Sequence, residues 1–162
     1  MGAPKALLDA VRSAPAGEHG SVFRRTGSHP VGGLRSAGNA AGTELWLVVS
    51  ANGRGLFDAV GGQRVARDPT PVSSGPVRGI GPLAGRDVEV AGIDGGRLPR
   101  QTADGWQVTF DERAGLWLTT PAGAIEVLRV RIEEARVLGF SHDGGSFVVA
   151  DAATLVTFAR AT

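Results

Sequence analysis

The residues of this chain with catalytic potential are few, and their spacing excludes several chemistries at once. There are three histidines, His19, His29 and His142, and no cysteine. A catalytic zinc usually takes three protein ligands from Cys, His and carboxylates. No His-x-x-x-His or His-Glu-x-x-His spacing occurs, and the absence of cysteine removes disulfides, thiolate nucleophiles and thiolate ligands. No metal site is therefore expected. Ser141, His142 and Asp143 have the residue types of a hydrolytic triad. Three consecutive residues in a tight turn cannot converge as nucleophile, base and orienter. No Gly-x-Ser-x-Gly elbow is present, and Lys5, the single lysine, lies in no phosphate-loop or Schiff-base context.

The glycine-rich stretch "VVSANGRGLFDAVGGQRVARD", residues 48–68, poses the next question. A phosphate-cradling Gly-x-Gly-x-x-Gly needs a strand before it and a helix after it, with the helix N-terminal amides facing the anion. Between Gly55 and the Gly61-Gly62 pair there is no room for a helix, and the third motif position is Asp58. The stretch reads instead as three strands joined at Asn52-Gly53 and Gly61-Gly62, with Gly55 as a bulge or close-packing position. No cofactor is expected.

Paired carboxylates remain. Asp94 and Asp104 lie in "DGGRLPRQTADGW", with Arg97 and Trp106 in the same loop-rich segment. In a common cleft the two aspartates could act as acid and base, or on a glycosidic bond. Each also precedes a glycine, where an Asp side chain supports its own turn. Tryptophan beside arginine marks recognition surfaces, although Trp106 also opens a strand. The candidate binding residues are thus Asp94, Arg97, Asp104, Trp106 and, from the third loop histidine, His142.

The elements that must position these residues are short and mostly extended. A helix is expected over 4–13, where Leu7, Leu8 and Val11 share one face before Pro15 and Gly17 end the run. Residues 14–44 read as loop with a short strand at 21–24. From residue 44 onward, strands are expected at 45–50, 55–59, 64–66, 88–91, 107–110, 116–119, 125–132, 147–150 and 155–159. Asn52-Gly53, Asp94-Gly95, Asp104-Gly105 and Asp143-Gly144 mark type I′ hairpin turns between them. "DVEVA" alternates, with Val88 and Val90 inward, whereas "LWLVVS" and "FVVAD" are apolar on both faces and should be covered on both sides. The fold class is all-β, a meander of antiparallel hairpins closing as a propeller-like array or a β-sandwich, with one short N-terminal helix. The organisation read from composition is a helix-and-loop segment over 1–36 and a β domain over 37–162.

"LWLVVSANGRGLFDAVGGQRVARD", "GIGPLAGRDVEVAGIDGGRLP", "TADGW" and "GFSHDGGSFVVAD" together resemble an uncharacterised bacterial family of small β-rich proteins. The resemblance covers about residues 29–160 and implies no activity and no catalytic residues. "FSHDGGSFVVADAATLVTFAR" and "NGRGLFDAVGGQRVA" are similar to single blades of WD-repeat-like propellers.

A net charge of +1 lacks the basic excess of general nucleic-acid and anionic-membrane binders. No apolar run approaches the roughly 20 residues of a membrane span, and residues 1–20 have no secretory apolar core, so a cytoplasmic location is expected. Arg24, Arg25, His29 and Arg35 make the N-terminal region locally positive. The function expected is a non-catalytic interaction or ligand-binding protein with a protein or small-molecule partner, and an immunity- or antitoxin-type role fits such a domain. The alternative is a small hydrolase or glycan-acting enzyme using Asp94 or Asp104.

Overall fold

The computed structural model describes residues 4–72 and 77–161. The protein is all-β, with helix α1 at Lys5–Ser13 and one 3-10 turn at Gly81–Leu83. The strands are β1 (Ala16–Gly17), β2 (Phe23–Pro30), β3 (Leu34–Asn39), β4 (Leu45–Ser50), β5 (Gly53–Asp58), β6 (Gln63–Asp68), β7 (Val77–Arg78) and β8 (Asp87–Val88). They continue as β9 (Ala91–Gly92), β10 (Gln107–Asp111), β11 (Gly115–Thr119), β12 (Ile125–Leu128), β13 (Val137–Phe140), β14 (Ser146–Ala150) and β15 (Thr154–Arg160). Four sheets result, ordered β1-β12-β11-β10, β13-β14-β15-β2, β6-β5-β4-β3-β9 and β7-β8. Pairing is antiparallel throughout except for the short parallel contact of β1 with β12.

The sheets stack because their strands alternate apolar side chains toward different neighbours. Val108, Leu116, Leu118 and Leu128 of the β10–β12 sheet meet Phe23, Phe140, Phe147, Val149 and Phe158 of the β13–β15 sheet. On its other face that sheet presents Val137, Val148 and Leu155 to Leu34, Trp46, Val48 and Phe57 of the β3–β6 sheet. The far face of the β3–β6 sheet, through Leu47, Val49 and Leu56, packs on Val77, Ile80, Leu83 and Val88. Strands β4 and β14 are therefore covered on both sides, as the two-faced patterns of "LWLVVS" and "FVVAD" require.

Several local expectations change. The region 14–44 holds strands β1, β2 and β3 where a loop with one short strand at 21–24 was expected. Their sequences, such as "FRRTGSHP" and "LRSAGN", are poor in β-branched residues, so tertiary pairing and not propensity makes them strands. Strand β2 zips onto β15 from Phe23↔Arg160 to Pro30↔Thr154, and β3 pairs with β4. The expected strand at 88–91 splits, because Val88 pairs with β7 while Ala91 pairs with β3. The expected strand at 125–132 stops at Leu128.

The turns are also of another kind. Among the described residues no non-glycine residue has positive φ, so the Asx-Gly pairs are not type I′ turns. Only the glycine takes the left-handed conformation, and at three other reversals a carboxylate at the end of the preceding strand works through its side chain. Asp58 Oδ1 accepts from the amides of Val60 and Gly61, and Asp111 Oδ1 from those of Arg113 and Ala114. Asp151 Oδ1 does the same for Ala153 and Thr154. A carboxylate at the end of a strand thus satisfies the amides that the reversing chain leaves unpaired.

Gly53 shows why the glycine is required. Its φ is +118°, and a Cβ there would lie 2.1 Å from the carbonyl oxygen of Asp68. Gly85, at φ +83°, has open space around the same position. Gly53→Ala should therefore lower the unfolding free energy by about 2 kcal/mol or more, through strain and overlap together. Gly85→Ala should lose only about 1 kcal/mol from backbone strain. Urea denaturation of the two variants checks this, and equal losses would show that the approach to Asp68 contributes nothing.

Candidate functional site

The five residues singled out from sequence are distributed over three places. Asp94 is exposed and paired with Arg35, whose Nη2 lies 3.1 Å and 3.0 Å from the two carboxylate oxygens. Asp104 is held on the opposite partner, Arg160: Nη1 donates to Oδ2 at 2.9 Å and Nη2 to Oδ1 at 2.8 Å. Asp94 lines a cavity with Arg35, and Asp104 does not line that cavity. The two carboxylates are thus held by different arginines in different places.

Asp104 and Trp106 form a structural clamp. Trp106 is buried and meets Phe23 edge-on at 5.3 Å. Thr102 Oγ1 donates to Asp104 Oδ1 at 2.6 Å and accepts from the Trp106 amide at 2.9 Å. Arg160 lies over the Phe23 ring at 5.0 Å and donates through Nε to the Gly144 carbonyl. One arginine at the end of β15 thus fastens two loops to the sheet.

Arg97 and His142 come together, in the cavity with the best combination of apolar floor and converging polar groups. It has a volume of about 620 Å³ and lies where β3 and β13 end. Phe140, Val88 and Leu98 supply apolar lining; Asn39, His142, Asp87, Glu89 and Arg97 supply the polar groups. Pockets of this composition are where small ligands bind.

The Asn39–His142 pair sets the chemistry. Asn39 is buried, and its Nδ2 donates to the carbonyls of Thr43 and Leu45 at 3.0 Å and 3.1 Å. Its Oδ1 therefore faces His142, accepting from the backbone amide at 3.0 Å and contacting Nδ1 at 3.0 Å. An amide oxygen can only accept, so Nδ1 carries a proton, and in the neutral ring Nε2 is left as an acceptor. A fixed imidazole acceptor beside one cation, Arg97, and two carboxylates, Glu89 and the Arg78-paired Asp87, can recognise a ligand bearing a hydroxyl or amide donor and a charged group. Among the described residues, no cluster of His, Asp and Glu is arranged to hold a metal ion.

Two glycines fix the wall of this cavity. A Cβ on Gly38 would lie 1.9 Å from the Glu89 carbonyl oxygen, and one on Gly139 would lie 2.3 Å from the Leu98 Cβ. Both glycines sit inside strands, so the segment 89–99 crosses β3 and β13 at a distance only glycine allows. The Phe140 amide then donates to the Pro99 carbonyl at 2.8 Å. Sequence reasoning missed Asn39, Glu89 and Phe140. The signal that could have found them is the lone glycine inside each of two strands.

Comparisons with known proteins return no match, whether to a family model, a curated protein or a solved structure. No helix among the described residues is long and apolar enough to cross a membrane.

The clamp makes a pH prediction. Hydrogen bonds from Arg160 and then Thr102 hold the Asp104 carboxyl well below the ordinary value of 3.8. A depressed folded-state pKa contributes stability that is present above the unfolded value and lost as pH falls below it. The stability difference between the wild type and Asp104→Asn should therefore be constant above about pH 5 and shrink as the pH drops below 3.8. Unfolding free energies across this range test it, and a difference unchanged by acid would mean that Asp104 is not the anionic partner of Arg160.

Proposed function

We propose that this chain is a non-catalytic binding protein whose ligand-receiving site is the cavity between the ends of β3 and β13. The observation that carries the reading is the oriented His142 imidazole, locked by a buried asparagine above an apolar floor. Fixing a side chain before the ligand arrives removes part of the ordering cost of binding. The groups around it are of both signs, Asp87 and Glu89 against Arg97, and lie on short connecting segments held against a rigid stack of sheets. This arrangement suits a zwitterionic or amide-bearing small molecule, or a polar side chain presented by a protein partner.

The test is a fragment screen by ligand-observed NMR, with hits mapped by amide shifts in labelled protein. Hits should perturb Asn39, Arg97 and His142, and His142→Ala should weaken them about five- to tenfold, the loss of one hydrogen bond. His142 is exposed, so the substitution should leave the fold intact. Hits that map elsewhere, or that bind His142→Ala as well as the wild type, would overturn the assignment.

A further inference from the structure

A second cavity, of about 570 Å³, opens at the other end of the seam between the β13–β15 and β3–β6 sheets. Its lining includes His29, Arg54, Arg64 and Arg67 and no carboxylate, in a chain whose net charge is only +1. Three comparable cavities each contain at least one acidic residue. Single-sign lining in a concave site focuses the field on its interior.

The arginines differ in their commitments. Arg54 is neutralised: its Nη2 donates to Asp68 Oδ2 at 2.8 Å and its Nη1 to the Arg78 carbonyl at 2.8 Å. Arg64 and Arg67 have no ion pair with any described residue. Residues three apart on a regular strand point to opposite faces, so these two should diverge. A β-bulge prevents it. Phe57 pairs with Arg64, and the next residue, Leu56, pairs with Ala66, so Val65 is the extra residue and Arg67 falls opposite Gly55. Phe57 and Gly55 share a face of β5, and their partners Arg64 and Arg67 share it too, about 7 Å apart along the strand.

Around this pair the space is open. Gly55 contributes no side chain to the floor between the arginines, and Asn52 reaches the rim. On the opposite wall His29 meets Phe57 in a tilted ring contact at 4.8 Å, with its Nε2 buried and without a hydrogen-bond partner. Burial, and after it the positive charge of Arg64, hold His29 below its ordinary value.

We propose that this cavity is a binding site for a phosphate monoester dianion, clamped between the guanidinium groups of Arg64 and Arg67. Two unpaired cations match the charge of about −2 on a phosphate monoester near neutral pH. Two planar guanidinium forks supply paired donors to its oxygens. The site lies on a different face from the His142 cavity, so the two assignments stand or fall separately.

The test is titration calorimetry at low ionic strength with inorganic phosphate and adenosine 5′-monophosphate, and with adenosine as the uncharged probe. At least one phosphate probe should bind in the millimolar range or tighter, and adenosine should not. Arg64→Gln and Arg67→Gln should each weaken binding about tenfold or more, the loss of a charge-assisted contact. Arg64→Lys should retain part of the affinity, and Arg35→Gln, whose arginine is paired with Asp94, should bind as the wild type. Both site arginines are exposed, so circular dichroism should show the variants folded. The absence of heat from both phosphate probes, or affinity that survives both glutamine substitutions, would overturn the proposal. Adenosine binding as tightly as its monophosphate would do so too.

Discussion

The structure depends on one constraint: the β13–β15 sheet is buried on both faces. Every residue of β14 is buried, as are five of the seven in β15. Such a sheet has no wet side on which to place polar groups, so each polar side chain within it must find an internal partner. Trp46, fully buried in the next sheet, donates through Nε1 to Ser146 Oγ at 3.0 Å. Ser146 in turn receives its backbone geometry from Ser141, whose Oγ accepts the Ser146 amide. Thr157, also fully buried, shares its hydroxyl with Thr26 Oγ1 at 2.8 Å. These contacts join two layers, and the aromatic cluster of Phe23, Phe140, Phe147 and Phe158 fills the seam on the far side.

That constraint explains why the N-terminal segment is part of the sheets. Without β2, strand β15 would be an open edge on a sheet that must be dry. Strand β2 covers it along its length, with a bulge between Thr157 and Phe158 that accommodates the Thr26–Thr157 contact. Pro30, at the last position of β2, ends the pairing where the chain leaves for β3. The two cavities follow from the same stacking. Sheets packed face to face fill their shared middle with Trp46 and Val148 and leave their ends to loops. One cavity takes Asn39 from the end of β3, and the other takes Ser50 from the far end of β4.

The legible part of the fold was the part in which local pattern and tertiary role agree. "LWLVVS" is apolar at every buried position because both of its faces are covered, and its bounds, Leu45–Ser50, are those read from sequence. "LRSAGN" is the opposite case. Its serine, alanine and glycine are small because a crossing segment and a neighbouring sheet press on β3 from both sides, so close packing removed the β-branched residues that announce a strand. The site was legible in a similar measure. His142 and Arg97 stand out as polar residues in loops, but Asn39 is a buried partner whose importance comes from a residue more than one hundred positions away. Asp104 and Trp106 carry recognition-type chemistry and spend it on fastening loops.

The stretch from Val48 to Asp68 joins these threads. Its glycines suggested a phosphate cradle, and they are hairpin and packing positions instead: Gly53 passes against Asp68, and Gly62 against the Thr26 carbonyl. The backbone amides of β5 there are occupied by pairing with β4 and β6, and no helix N-terminus gathers amides toward an anion. Arg64 and Arg67 of the same stretch are different, since strand pairing uses only their main chain and leaves their guanidinium groups free to be aimed. One inserted residue, Val65, decides the aim, because it turns an odd spacing into a shared face. Anion recognition, where it occurs on such a sheet, comes from register and side-chain charge, whereas in a helix-based phosphate loop it comes from the backbone.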